Sequence, residues 1–234
     1  IVRRLVGSEM CIRDSLRTAM FNYLANPTRF RKVASFILPF LEVICLLSLG
    51  YGLYLALLVS PADYQQGDAV RIMYVHVPSA WLALSSYLLL GICSFFFLIW
   101  RHPLAEIAAR SIAPIGTGFA ALTLITGSFW GKPIWGVWWV WDGRLTSMLV
   151  LFFFFIGYIS LSNAFDRSER GARPAAILAL VGCINLPIVK FSVDWWHTLH
   201  QPASIMRTGG ISIDTAMLCC LLYTSDAADD VISV

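Results

Sequence analysis

Charge is scarce in this sequence. Aspartate, glutamate, lysine and arginine make up 13% of its 234 residues, about half the share of a typical soluble domain. That scarcity excludes an ordinary water-soluble globule, and a 58% hydrophobic content with a mean hydropathy of +0.72 assigns the chain to lipid. No CxxC or CxxCH occurs, which excludes a dithiol redox site and any group anchored through paired cysteines. Cys45, Cys93 and Cys183 fall inside apolar runs, and Cys11, Cys219 and Cys220 fall in or beside the chain ends. A P-loop, a nucleophile motif and an internal repeat are missing as well, and the chain is read as a protein that is not an enzyme. The short alternating strands that a closed membrane barrel would need are not found either.

What the sequence does have is long apolar runs. A crossing helix takes about 20 mostly apolar residues. Five stretches qualify, roughly 36–60, 79–100, 112–129, 145–165 and 174–189. They are predicted as helices, because backbone facing lipid must satisfy its hydrogen bonds within its own segment. A sixth run begins near Ile211 and stops early: "ISIDTAMLCCLLY" holds 13 residues, Asp214 among them, before the polar "TSDAADD". The ends are set aside from fold reasoning, because "GSEMCIRDS" (residues 7–15) and "LLYTSDAADD" (residues 221–230) resemble translated sequencing-adapter read-through. Residues 1–15 and 219–234 are thus expected to be non-native tails around a membrane domain over 16–218. The fold class expected is an all-α polytopic integral membrane protein, a six-helix bundle with its sixth helix truncated. Glu42 and Asn185 are polar groups inside spans, where a contact with a neighbouring helix is the expected reason.

Lysine and arginine set the orientation. Arg17, Arg29, Arg31, Lys32, Arg101, Arg110, Arg167, Arg170 and Arg173 fall on one side of the spans, and Arg71, Lys132, Arg144, Lys190 and Arg207 on the other. The richer side marks the cytoplasm, so the amino end is expected inside. The net charge of +3 expresses this asymmetry and indicates the lipid bilayer, not nucleic acid, as the partner. Three loops then face out, over 61–78, 130–144 and 190–210, which in a bacterium means the periplasm. They carry His76, His197 and His200, each beside an aromatic cluster or just before a span, whereas His102 lies in a short cytoplasmic loop and reads as a solvated residue.

The loop "WGKPIWGVWWVWDGR" (residues 130–144) places five of the nine tryptophans between Trp130 and Trp141. Neutral imidazole is the commonest protein ligand for transition metals, haem iron included. Two histidines from different loops could clamp a flat metal macrocycle, with indoles covering its rim and an arginine meeting its carboxylates. Tryptophan also collects at membrane–water interfaces as an anchor without any ligand. Trp135, Trp138, Trp139 and Asp142 follow a helical spacing, while Gly131, Pro133 and Gly136 interrupt its first part. A turn followed by a short interfacial helix is therefore predicted, and an amphipathic helix on the membrane fits with no cofactor at all. Both readings stand on these grounds.

A resemblance separates them. "WGKPIWGVWWVWDGRLTSMLVLFF" resembles the tryptophan-rich WWD signature of the haem-handling proteins of cytochrome c maturation. "MYVHVPSAW" before it and "WWHTLHQ" after it resemble the CcmC branch, the haem exporter protein C family. The likeness covers about residues 16–218. It implies six spans and transient, non-covalent binding of b-type haem at the periplasmic face of the bacterial inner membrane. It implies delivery to the haem chaperone CcmE, in company with CcmA, CcmB and CcmD. Carried over by position, the axial ligands of the haem iron match His76 and His200. The haem platform matches Trp130, Trp135, Trp138, Trp139 and Trp141 with Asp142 closing the motif, and the propionate-binding residues match Arg71 and Arg144. His197 falls outside the matching stretch and reads as a bystander. Two other readings remain: a haem lyase of the wider WWD group acting on apocytochrome c, which expects a longer chain, and a ligand-free structural subunit of an ABC transporter.

Overall fold

The protein is described by a computed structural model over residues 27–63, 66–164, 168–196, 199–200 and 217–221. It divides into two compact units, residues 1–44 with Val234, and residues 45–233. The described residues are helical apart from short connections. Five helices are long and apolar enough to cross a membrane: Arg31–Val59, Asp68–Trp100, Pro103–Trp135, Gly143–Asn163 and Arg170–Trp195. These are the five runs expected from composition, four of them longer than expected and the fourth shifted by two residues. The chain is an all-helical polytopic membrane protein. Of the sixth run, only residues 217–221 are described; they are helical, with Cys220 and Leu221 buried against Ala56 and Tyr74. The remainder of that run and residues 1–15 lie outside the described residues.

Helix α1 (Pro27–Tyr54) ends in a wider π-turn, Leu55–Val59. In its first unit the large side chains Phe36, Phe40, Val43 and Ile44 are exposed, as suits a helix surface solvated by lipid, and Glu42 is exposed among them. A 3-10 turn over Asp68–Ile72 leads into α2 (Met73–Trp100), which is followed by α3 (Pro103–Trp135), α4 (Gly143–Asn163), α5 (Ser168–Gly182) and α6 (Asn185–Trp195). α2 packs on α3, α3 on α4, α4 on α5, and α5 returns to α2; α6 rests on α4 and α5. Lipid tails are as apolar as leucine, so small residues that let helices approach carry this packing. Ala83, Ala113, Ala120, Ala175 and Ala179 line the shared core, with Tyr87 and Phe155 as its largest fully buried side chains. These two rings meet edge to face, centroids 4.8 Å apart. Gly116 sits under Phe155 and Ser86, where any Cβ would collide.

Local chemistry places the ends of the helices. Proline opens α3 at Pro103, where its missing N–H costs nothing. Gly136 closes α3 in the left-handed region at φ 78°, and its N–H reaches the Lys132 carbonyl at 3.1 Å. Asp142 caps α4, its Oδ1 accepting from the Leu145 N–H at 2.8 Å. The fifth span breaks at residues 183–184 because Pro187 cannot donate to the Cys183 carbonyl and its ring crowds that group. The Leu186 N–H takes the carbonyl at 3.2 Å instead. Asn185, just past the break, donates from Nδ2 to the Ser147 carbonyl at 2.8 Å, the interhelix contact expected of it.

Two expectations about the outward segments are corrected. His76 is not in a loop: the connection ends at Gly67, and His76 stands in the first turn of α2. Nor does the tryptophan stretch begin as a turn and continue as a helix. α3 runs through Gly131 and Pro133 to Trp135, and the irregular part is 136–142. Gly131 is tolerated because the Trp135 ring lies where its Cβ would be. Pro133 stands in the final turn of α3 and gives up its backbone bond to the Phe129 carbonyl.

Candidate functional site

The start of α2, the end of α3, the start of α4 and the end of α6 share one end of the bundle, since consecutive spans alternate in direction. His76 lies there at 8% exposure. Its Nδ1 is 3.0 Å from the Thr126 hydroxyl on α3, one turn before Trp130, whose ring meets the imidazole edge-on at 5.6 Å and 67°. Between them Gly127 leaves room, because a Cβ there would come within 3.0 Å of His76 Cε1. Trp130 is held from the other side: its indole N–H donates to Gln66 Oε1 at 3.0 Å. The Gln66 backbone N–H is in turn fixed to Asp63 Oδ1 at 2.8 Å.

His200 completes the group. Its ring centroid is 6.3 Å from that of His76, with 31° between the planes. Trp135 meets His200 edge-on at 6.0 Å and 62°. His76, His200, Trp130 and Trp135 thus form one cluster drawn from three parts of the chain. His197 lies outside the described residues.

The other three tryptophans stand apart from the imidazoles. Trp138 packs its ring edge to face on Phe129 at 5.7 Å, with the Lys132 ammonium 5.8 Å from its centroid. Trp141 is 75% exposed and pairs with Trp139 at 5.5 Å. The indole nitrogen of Trp139 is buried and has no hydrogen-bond partner among the described residues. Asp142 is buried as the cap of α4, so its position in the motif has a structural reason that an aspartate directly before a helical run already signals.

The two arginines differ. Arg71 is engaged along its own segment: it pairs with Asp68 at 3.1 Å and donates to the Leu57 and Ala56 carbonyls of the π-turn. Arg144 faces the cluster's electrostatic field, interacting with His76 as well as with Asp142 and Asp194. It donates from Nη2 to the Lys190 carbonyl at 3.2 Å, while its buried Nε has no partner among the described residues. Thr126, Gly127 and Gln66 are site residues that sequence reasoning missed. A threonine and a glycine four and three residues before Trp130, inside an otherwise apolar span, were the available signal.

Paired histidines and tryptophans at one mouth of a membrane bundle offer donors and apolar rings of the kind a flat metal-containing ligand takes. The profile of the "Heme exporter protein C" family matches residues 20–232. The chain is similar to "Heme exporter protein C" of Bradyrhizobium diazoefficiens, 54% identical over 204 residues that cover 87% of this chain and 77% of the relative. It is 44% identical to the protein of the same name from Escherichia coli K12, over 83% of this chain and 78% of the relative. A ccmC-like mitochondrial protein of cytochrome c biosynthesis from Marchantia polymorpha is 48% identical over 71% of this chain and 70% of the relative. The chain belongs to the haem exporter protein C family.

Proposed function

We propose that this protein takes up haem at the periplasmic face of the bacterial inner membrane, holds it through His76 and His200, and delivers it to the chaperone CcmE during cytochrome c maturation. CcmA, CcmB and CcmD are its partners in that work, and the chain itself is a transport component without a catalytic step. The observation that carries the reading is the 6.3 Å between the two imidazole centroids. Metal–nitrogen bonds of about 2 Å, plus roughly 1 Å from each nitrogen to its ring centre, put two axial imidazoles about 6 Å apart.

The donors around the cluster suit the same cargo. Arg144 has a buried Nε without a partner among the described residues, and a carboxylate is the acceptor a guanidinium binds most strongly. Haem propionates supply such carboxylates. Arg71, already paired with Asp68, is the secondary candidate. Trp130 and Trp135 offer apolar edges beside the imidazoles. With no cysteine pair to anchor the macrocycle, binding is non-covalent and of b-type, as transient cargo requires. The lysine and arginine asymmetry supports the periplasmic side for this end of the bundle.

An absorption spectrum of the purified protein loaded with haem tests the ligands. Wild type should give a six-coordinate, low-spin signature that His76→Ala and His200→Ala each abolish and His197→Ala retains. A wild-type spectrum in both of the first two variants would sink the axial assignment. Delivery is checked separately, by haem-dependent capture of CcmE on the wild-type protein.

A further inference from the structure

Thr126 stands one helical turn before Trp130, and its hydroxyl hydrogen is already committed. Oγ1 donates to the Leu122 carbonyl at 2.7 Å, with the Thr123 carbonyl 3.3 Å away. This is the back-bond to the preceding turn that a helical threonine commonly makes. A hydroxyl has one hydrogen to give. Oγ1 can therefore only accept from His76 Nδ1, which lies 3.0 Å away. The backbone carbonyl of Thr123 faces the same imidazole, and a carbonyl can only accept as well. The edge of His76 turned towards α3 thus meets acceptors alone.

We propose that Thr126 is a positioning residue that fixes His76 as the Nδ1–H tautomer and leaves Nε2 as the lone pair for the iron. The proposal rests on the reading of His76 as an axial ligand. A neutral imidazole carries one N–H, and the bond made at one nitrogen decides what the other can ligate. Partners that orient a ligating histidine in this way are typically worth about 10- to 100-fold in metal affinity. Gly127 assists by leaving the ring space to sit flat against α3, since a Cβ there would come within 3.0 Å of Cε1.

Nitrogen-15 NMR of the full chain, labelled at histidine and free of haem, reads the tautomer directly. The His76 signals are those that vanish in His76→Ala. Wild type and Thr126→Ser should show a protonated Nδ1 and a bare Nε2, whereas Thr126→Val should shift towards the Nε2–H form. Haem retained per protein should fall about 10- to 100-fold in Thr126→Val and recover in Thr126→Ser. Thr117→Val is the control, because Thr117 makes the same back-bond, to Ala113 at 2.7 Å, in the same helix. It should change neither readout. A wild-type His76 protonated at Nε2, or a tautomer unmoved in Thr126→Val, would overturn the proposal. The axial reading fails on a different result: a low-spin spectrum that survives His76→Ala while the tautomer still follows residue 126.

Discussion

Trp130 and Trp135 ride on the last turns of α3, where their rings meet His76 and His200 edge-on, whereas Trp138 and Trp141 stand on the irregular turn beyond Gly136, more than half exposed. The same residue type keeps two kinds of company within twelve positions. On the helix, backbone geometry aims the indoles, and the Trp130 N–H is tied to Gln66. On the turn, the indoles find Phe129, a lysine ammonium and each other. For the exposed Trp138 and Trp141 that is the company of an interfacial belt, in which an amphipathic ring sits with its apolar body in lipid and its N–H in water. The proposed ligand platform thus lies at the helical end of the stretch, and the turn keeps the company of an anchor.

Alanine substitutions should break the stretch into these two groups. Fully burying a large apolar side chain is worth roughly 1.5–3 kcal/mol. Trp130→Ala and Trp135→Ala should therefore weaken haem retention by about tenfold to a hundredfold, while Trp138→Ala and Trp141→Ala stay within about twofold. Equilibrium titration of each variant with haem checks this, and equal losses at all four positions would erase the distinction. A finer cut is Trp130→Phe, which keeps most of the apolar area and removes the bond to Gln66. A net hydrogen bond contributes about 0.5–1.5 kcal/mol, so retention should fall by only about two- to tenfold, with the low-spin signature intact. Gln66→Leu should reproduce that loss.

Asp142→Ala should have the smallest effect on haem and a measurable one on the fold. Losing a helix cap costs about 1 kcal/mol, visible as a lower thermal midpoint, and Asp142→Ser should restore most of it. A collapse of haem binding with an unchanged midpoint would move Asp142 from the helix to the ligand.

Composition alone made the spans legible, because a low-charge chain with five long apolar runs has few other solutions in lipid. The ends of the helices were harder. Gly131 and Pro133 read as breakers, yet the glycine lies beneath the Trp135 ring and the helix continues past the proline to Trp135. Gly136, the residue that does stop α3, differs only in adopting a positive φ, which no residue letter declares. The apolar run begins only at residue 79, so the segment around His76 read as a loop, whereas the helix opens at Met73 and includes Pro78. The histidines and tryptophans were legible as chemistry, and their partners were not. Thr126 and Gly127 look like ordinary members of an apolar span until α2 is laid against them.

The break before α6 has a mechanical side. Because Pro187 has no N–H to give, the turn at residues 183–184 carries one backbone hydrogen bond fewer than unbroken helix. The arm beyond it is an 11-residue helix, about 16 Å long at the usual rise. A turn of about 10° at the break carries its tip by roughly 3 Å, more than the length of a metal–nitrogen bond. Asn185 holds the Ser147 carbonyl close to the break, and the Arg144 bond to the Lys190 carbonyl lies partway along the arm. Proline thus divides one span into two helices of 15 and 11 residues, and the shorter leads through Trp195 and Trp196 towards His200.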